Sequence, residues 1–176
     1  GYDIFVRAYS DTQSIARVQN DAGTVYSQDT GKNDNTPDGW FNFGGWAVTG
    51  SIRGAWGILD TIRIGREYAS GLGHTHPKVD VFWASDGTYV EGGNGYRIHF
   101  LSGDEWDEDV ILHEYGHSVQ YNIYGGWIPG SGGSHTWGGC YNTALALSEG
   151  WATYFGVVAS FTLGYGDSLF PKDTWY

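Results

Sequence analysis

The chain has 176 residues and a formal net charge of −11, with 20 Asp and Glu against 9 Lys and Arg. This charge argues against nucleic acids and anionic membranes as partners, because both present dense negative charge. The length fits one domain that is large enough to hold a core and a cleft. A composition of 29 Gly, 9 Trp and 13 Tyr with one Cys and no Met favours a secreted or cell-surface protein.

Three further features bear on where the protein works. The longest apolar stretch, residues 151–165, is interrupted by polar residues and is too short to span a membrane. Cys140 has no partner and is predicted to be a small buried residue rather than a nucleophile. Since the sequence starts at Gly1 rather than Met, we expect a processed or excised product whose signal peptide need not be visible.

The N-terminal part of the chain, up to Gly50, alternates short apolar runs with turn residues, which predicts strands. The predicted strands are residues 3–9, 14–18, 24–26 and 41–48. Residues 29–39 between them are dense in turn formers and are predicted to be a solvated loop. Their acidic residues lack the spacing of an EF-hand, so a calcium site there is unsupported.

The apolar period changes at residues 52–70, which predicts an amphipathic helix with Ser51 as its N-cap. Strands are predicted at residues 78–83, 88–90 and 96–101, the last two joined by a glycine-rich turn. His74 and His76 are interpreted as a loop pair rather than a metal site, since no third ligand stands nearby. His99 is interpreted as an ordinary strand histidine.

The central stretch, residues 107–121, contains His113-Glu-Tyr-Gly-His117 within a helical pattern. At 3.6 residues per turn the two histidines leave one helix face a single turn apart, so both can reach one tetrahedral zinc. Glu114 then stands beside the metal-bound water, as in the H-E-x-x-H motif of zinc hydrolases.

The start and the middle of this helix carry two further predictions. Ser102 or Asp104 is the predicted N-cap, and the acidic residues at 104–109 are interpreted as charge that favours the helix N-terminus rather than as a calcium site. Gly116 in the helix interior predicts that another element packs closely against it.

A Gly- and Ser-rich loop, residues 125–139, carries His135 and leads to a second helix predicted at residues 144–161, with Asn142 or Thr143 as its cap. Glu149 is the only acid on this otherwise apolar helix. A buried carboxylate needs a cation or strong donors, and zinc would supply the cation.

The motif His113-Glu-Tyr-Gly-His117, followed by Ser148-Glu-Gly-Trp-Ala-Thr-Tyr-Phe155, resembles the gluzincin clan of zinc metallopeptidases, which includes thermolysin-like and membrane-alanyl-aminopeptidase-like enzymes. The resemblance covers residues 50–161. It implies that His113, His117 and Glu149 hold zinc and that Glu114 is the general base. Metzincins are excluded, because Gln120 and Ile123 occupy the positions of their glycine and third histidine.

The resemblance also implies an α+β, zincin-like fold in one metallopeptidase domain over residues 1–176, which a longer chain could contain. Its parts would be a β-rich part at 1–50, a backing helix, sheet edge and zinc helix at 51–124, and a loop and glutamate helix at 125–176. The strand at 96–101 resembles the clan's edge strand, which binds the substrate backbone by strand addition.

Two departures from the clan concern the region after the zinc helix. The interval from His117 to Glu149 is longer than the clan's usual one, and the loop at 125–139 accounts for the excess. The stretch from Glu149 to Tyr176 is short, so the subdomain that supplies the clan's oxyanion-stabilising Tyr or His is expected to be short or missing. His135 is a candidate for that role, although an ordinary loop histidine is the favoured interpretation.

These features predict zinc-dependent hydrolysis of a peptide or protein substrate, with a zinc-activated water and Glu114 as general base. Endopeptidase action is favoured, because the strand at 96–101 has no acid to bind a free amine. The alternative is a non-catalytic zinc-binding surface or adhesion domain of a larger secreted protein. Glu149 rather than His135 is the predicted third ligand, since a helix holds a ligand more rigidly than a glycine-rich loop.

Overall fold

The computed structural model describes residues 2–135 and 139–162, so the end of the region predicted at 125–176 lies outside the described residues. The described residues form an α+β arrangement of small sheets and three α-helices. The strands are β1 (Tyr2–Ile4), β2 (Arg7–Tyr9), β3 (Ala16–Gln19), β4 (Ser27–Asp29), β5 (Asn33–Thr36), β6 (Val79–Trp83), β7 (Tyr89–Val90) and β8 (Arg97–Phe100). The helices are α1 (Arg53–Gly71), α2 (Glu108–Tyr124) and α3 (Thr143–Thr162).

The N-terminal part, up to Gly50, differs most from its prediction. Strands β1 and β5 form one antiparallel ribbon and β2 and β4 another, so the segment predicted as a loop at 29–39 contains a strand. The strand predicted at 24–26 instead runs over Ser27–Asp29, and the segment 41–48 forms no strand. In that segment Gly44 has a φ of 70°, which is not an extended conformation. No described strand pairs with this segment, although most of its residues are apolar.

The main sheet has the order β3-β6-β8-β7, with β3, β6 and β8 parallel and β7 antiparallel to β8. The strand predicted at 96–101 is therefore not the sheet edge, because β8 pairs on both sides. Its Ile98 and Phe100 are fully buried. The edge strand on this side of the sheet is instead β7, a short strand that pairs antiparallel with β8.

Helix α1 packs on this sheet and confirms the amphipathic helix predicted at 52–70. Its Ile58 and Ile62 are fully buried in the same core as Val81 of β6, and each such side chain contributes about 1.5–3 kcal/mol when removed from water. The predicted Ser51 cap is wrong. Ser51 lies within a short 3-10 turn, and the residue before α1, Ile52, makes no side-chain cap.

Helix α2 confirms the predicted central helix, but neither predicted residue caps it. Asp107 is the N-cap, and its carboxylate accepts a hydrogen bond from the Val110 amide at 3.1 Å. Asp104 instead begins a separate 3-10 turn. For α3 the predicted cap is confirmed, since Asn142 Oδ1 accepts from the Leu145 amide at 3.0 Å.

The close neighbour predicted for Gly116 is α3. A Cβ at position 116 would lie 3.1 Å from the Ala152 carbonyl oxygen and 3.2 Å from its Cα. Gly156 of α3 faces α2 in the same way, where a Cβ would lie 3.4 Å from the His113 amide. Small residues on both helices therefore allow the two backbones to approach.

Gly116→Val is expected to lower the free energy of unfolding by about 1–3 kcal/mol, because the added carbons meet α3 backbone that cannot rotate away. Gly150→Val is the matched control, since a Cβ at this exposed α3 position meets nothing within 4 Å. Urea unfolding of both variants checks the difference. Equal stabilities would show that the helices are not in close contact at Gly116.

Other single-residue predictions have mixed outcomes. Cys140 is exposed, not buried, because it lies in the connection before α3 and outside the packed layers. His76 is buried, with its Nε2 3.2 Å from Ser118 Oγ and its Nδ1 2.7 Å from the Pro77 carbonyl oxygen. His99 stacks between two aromatic rings.

In the part of the chain that the structure describes, no helix has the length and hydropathy needed to cross a membrane.

Candidate functional site

Two helices bring three predicted site residues together. Helix α2 presents His113 and His117 with ring centroids 4.8 Å apart, and α3 presents Glu149. Glu149 Oε2 lies 3.2 Å from Nε2 of each histidine. Their donor atoms all lie within 4.8 Å of one another, so the group could hold a metal ion.

The outer nitrogens of both histidines face hydroxyl groups of α3. His113 Nδ1 lies 3.2 Å from Thr153 Oγ1, and His117 Nδ1 lies 3.3 Å from Ser148 Oγ. Ser148 donates its own proton to Gln120 Oε1 at 2.7 Å, which leaves its oxygen able to accept from His117. These contacts orient both rings with Nε2 toward Glu149.

Sequence reasoning missed Ser148 and Thr153. A usable signal was present for Thr153, because it stands four residues after Glu149 and so shares its helix face. Residues one apart do not share a face, so spacing gave no such signal for Ser148. Which histidine nitrogen each hydroxyl contacts is set by the packing of α3 against α2, which the sequence does not show.

The two carboxylates of the site differ in electrostatic setting. Burial raises the pKa of Glu114 to about 7, and the nearby Glu149 adds to the increase. Burial also opposes ionisation of Glu149, but the two histidines whose Nε2 atoms face its Oε2, His113 and His117, outweigh burial and hold the Glu149 pKa well below its usual range. Glu149 is therefore charged at neutral pH, whereas Glu114 can take up or release a proton there.

A cleft of about 810 Å³ opens over this group. The segment Thr88–Val90, which includes the edge strand β7, lines part of this cleft, and the segment Trp127–Gly133 lines another part. Glu114 and His135 also line the cleft. The Trp127 ring packs on Tyr121 at 5.1 Å, so α2 supports this part of the cleft as well as the histidines.

His135 reaches the same group from the loop. Its Nε2 lies 3.2 Å from Glu149 Oε2, and its Nδ1 lies 3.2 Å from the Gly133 carbonyl oxygen. The structure thus brings together all five predicted site residues. The neighbouring loop residue Trp137 lies outside the described residues.

The site is a two-helix His–His–Glu group in a cleft beside a sheet edge. A family model described as the Mycolysin C-terminal domain matches residues 75–175. This match covers more than half of the chain and includes β6–β8, α2 and α3, so the chain belongs to the Mycolysin C-terminal domain family. A comparison with curated proteins returned no match.

The family places the chain in a metallopeptidase context, in agreement with the coarser part of the sequence-based prediction. Mycolysin-like domains occur in secreted proteins. The description names a C-terminal domain of a peptidase-like protein, which fits the alternative of a non-catalytic domain better than it fits a catalytic one.

Proposed function

We propose that this domain hydrolyses peptide bonds with a zinc ion held by His113, His117 and Glu149. The observation that carries this function is the convergence of two imidazole Nε2 atoms on one carboxylate oxygen, each at 3.2 Å. Two histidines and a glutamate are the ligand set of many catalytic zinc sites, which keep a fourth position open.

The residues fit zinc in their spacing and in their outer contacts. Ligands bonded to tetrahedral zinc at about 2.0–2.1 Å lie about 3.3 Å from one another, close to the 3.2 Å contacts here. The Nδ1 contacts with Ser148 and Thr153 favour the tautomer that has a lone pair on each Nε2, as a metal ligand requires. Glu149 is a partly buried acid among histidines, and a cation stabilises such a carboxylate.

The proposed chemistry assigns each group one task. When bound, zinc would lower the pKa of a water to about 7 and polarise the substrate carbonyl. Glu114, whose pKa is about 7, takes a proton from the attacking water and gives it to the leaving amine. The exposed edge of β7 binds the extended substrate by strand addition, a task that the sequence assigned to β8.

We further infer a zincin-like arrangement. Its support is the mixed sheet with one antiparallel edge strand, the helix α1 behind it, and the two helices that carry the His–His–Glu group. The membership of the family supports a protein that works outside the cell.

Metal analysis combined with casein digestion tests the function. Purified protein should contain about one zinc and degrade casein, lose activity in a chelator and regain it when zinc is added. Protein that takes up no zinc after add-back would overturn the whole assignment.

The second candidate is a zinc-binding, non-catalytic domain of a larger secreted peptidase, favoured by the family description. Protein that binds one zinc and leaves casein and short peptides intact would establish this alternative. The same assay therefore separates the two functions.

Internal cleavage is expected for the peptidase. In the part of the cleft that the structure describes, the lining segment Thr88–Val90 carries no acid to pair with a free amine. Peptides with acetylated N-termini should be cut as well as free ones, as mass spectrometry of the products would show. If only free peptides are shortened, one residue at a time, the protein is an aminopeptidase.

Ser148→Ala is expected to weaken zinc binding by about 10–100-fold, the usual effect of losing an outer partner of a metal-binding histidine. The variant removes both the Nδ1 contact of His117 and the hydrogen bond to Gln120. Competition with a fluorescent chelator measures the affinity. Ser160→Ala is the control, since Ser160 is a buried α3 serine that lies well along the helix from the site. Equal zinc affinities would remove Ser148 from the site.

A further inference from the structure

Three histidines contact one carboxylate oxygen, and the third comes from the loop. Nε2 of His113, His117 and His135 each lies 3.2 Å from Glu149 Oε2. The His135 side chain is 40% exposed, whereas those of His113 and His117 are 12% and 10% exposed. His135 therefore approaches Glu149 from the solvent side of the group.

The His135 ring is oriented by its other nitrogen. Its Nδ1 lies 3.2 Å from the Gly133 carbonyl oxygen, and a carbonyl can only accept, so Nδ1 carries a proton. In the neutral ring Nε2 then has a lone pair, which faces the lone pairs of Glu149 Oε2. Two acceptors at this distance repel each other unless the ring takes a second proton or a cation binds both.

A single cation explains the arrangement with less repulsion than added protons. A second proton on each of the three rings would crowd three positive charges around one carboxylate. His113, His117 and Glu149 have donor atoms within 4.8 Å of one another, and His135 lies outside that group although its Nε2 is 3.2 Å from Glu149 Oε2. One divalent ion bound by the three would also satisfy the Nε2 lone pair of His135 after a small shift of that ring toward the two other histidines. A histidine whose Nδ1 donates to a backbone carbonyl while Nε2 faces the metal is also the common form of a metal ligand.

We propose that His135 is a fourth ligand of the metal ion, which closes the site at rest and is displaced when substrate enters. This role rests on the zinc-binding function proposed for His113, His117 and Glu149. A site closed by four protein ligands holds zinc without an open position. Hydrolysis therefore requires that the loop withdraws His135 before a carbonyl and a water can bind.

The described part of the loop before His135 has features that allow this histidine to leave. Gly130 and Gly133 have φ angles of 85° and 131°, which other residues rarely adopt. A Cβ at Gly132 or Gly133 would meet nothing within 4 Å, so there is open space beside the loop at these positions. The loop is held to the start of α3 at an earlier position, where Asn142 Nδ2 donates to the Gly130 carbonyl oxygen at 3.1 Å. The two other histidines, by contrast, lie on the interior helix α2.

The oxyanion role suggested by the sequence requires a different protonation state of the His135 ring. A donor to the oxyanion needs a proton on Nε2, and a ring that already donates from Nδ1 would have to be an imidazolium. A metal ligand needs the lone pair that this orientation provides. The two roles therefore predict different effects of His135 on the metal.

The test compares the full chain with His135→Ala after loading with Co²⁺, and with Ser134→Ala as a control for change in the loop. We expect the visible spectrum of the parent to differ from that of His135→Ala, because one imidazole is replaced by water, and zinc affinity to fall about tenfold or more. Acetohydroxamate, which binds metals through two oxygens, should convert the parent spectrum to that of His135→Ala with the same probe. Ser134→Ala should match the parent throughout.

Superimposable cobalt spectra and equal zinc affinities for the parent and His135→Ala would overturn the fourth-ligand role while leaving the zinc site intact. If His135→Ala then also hydrolyses peptides more slowly, the oxyanion role is the correct one. A parent spectrum that keeps its His135-dependent features with acetohydroxamate bound would overturn displacement. Failure of the parent to bind one equivalent of metal would overturn the proposed function itself and the role of His135 with it.

Discussion

Glu114→Gln should keep its zinc and hydrolyse peptides about 10²–10⁴-fold more slowly, the usual contribution of a general base. The amide has nearly the shape of the carboxylate but cannot accept the proton of the attacking water. Glu114 is adjacent to His113 in the chain and lines the cleft, so its replacement removes proton transfer and leaves the three metal-binding groups in place.

Steady-state kinetics on a blocked peptide, together with zinc content by elemental analysis, check this result. Glu67→Gln on the surface of α1 is the control, since Glu67 makes an exposed ion pair with Arg63 and lies outside the cleft lining. Near-parental turnover in Glu114→Gln would assign the base to another residue. Loss of zinc from this variant would place Glu114 among the ligands.

Glu149→Ala should bind zinc far more weakly than the parent, by more than the ~10–100-fold that the loss of an outer partner costs. Among the described residues, its carboxylate is the acid that groups with the two motif histidines. The histidines alone leave the ion two ligands, or three if His135 also binds. Hydrolysis should fall with the zinc content and recover only in part at high zinc concentrations.

A chelator titration that monitors zinc retention measures this effect, with Glu67→Ala as the matched control. His135→Ala should rank between the parent and Glu149→Ala, because the loop holds its ligand less rigidly than α3 does. A zinc-replete Glu149→Ala beside a metal-poor His135→Ala would reverse the ranking and show that the third ligand comes from the loop.

Local signals predicted α1, α2 and α3 well. The helical period of their apolar residues is a property of neighbours a turn apart, and the Asn142 cap of α3 is a contact with the nearby Leu145 amide. Caps at the other two helices were wrong, because Asp104 and Ser51 lie in short 3-10 turns that precede the helices and that helical periodicity does not reveal.

Strand prediction was weakest where pairing joins distant segments. The polar strand β5 has little intrinsic strand preference but pairs with β1 at the start of the chain. The apolar segment 41–48 has the composition of a strand and no partner. The edge position of β7 likewise depends on β8 pairing with β6, which no local pattern encodes.

The sequence alone determined the two motif helices and the residues they carry, His113, Glu114, His117 and Glu149, because residues a turn apart share a helix face wherever that helix packs. Only the tertiary structure decided how these side chains meet. The contact of Gly116 with Ala152 brings α3 close enough for Glu149 to reach both histidines, and the chain path after α2 returns His135 to the same oxygen. Both depend on residues that are distant in the sequence, whose approach is set by packing rather than by helical spacing.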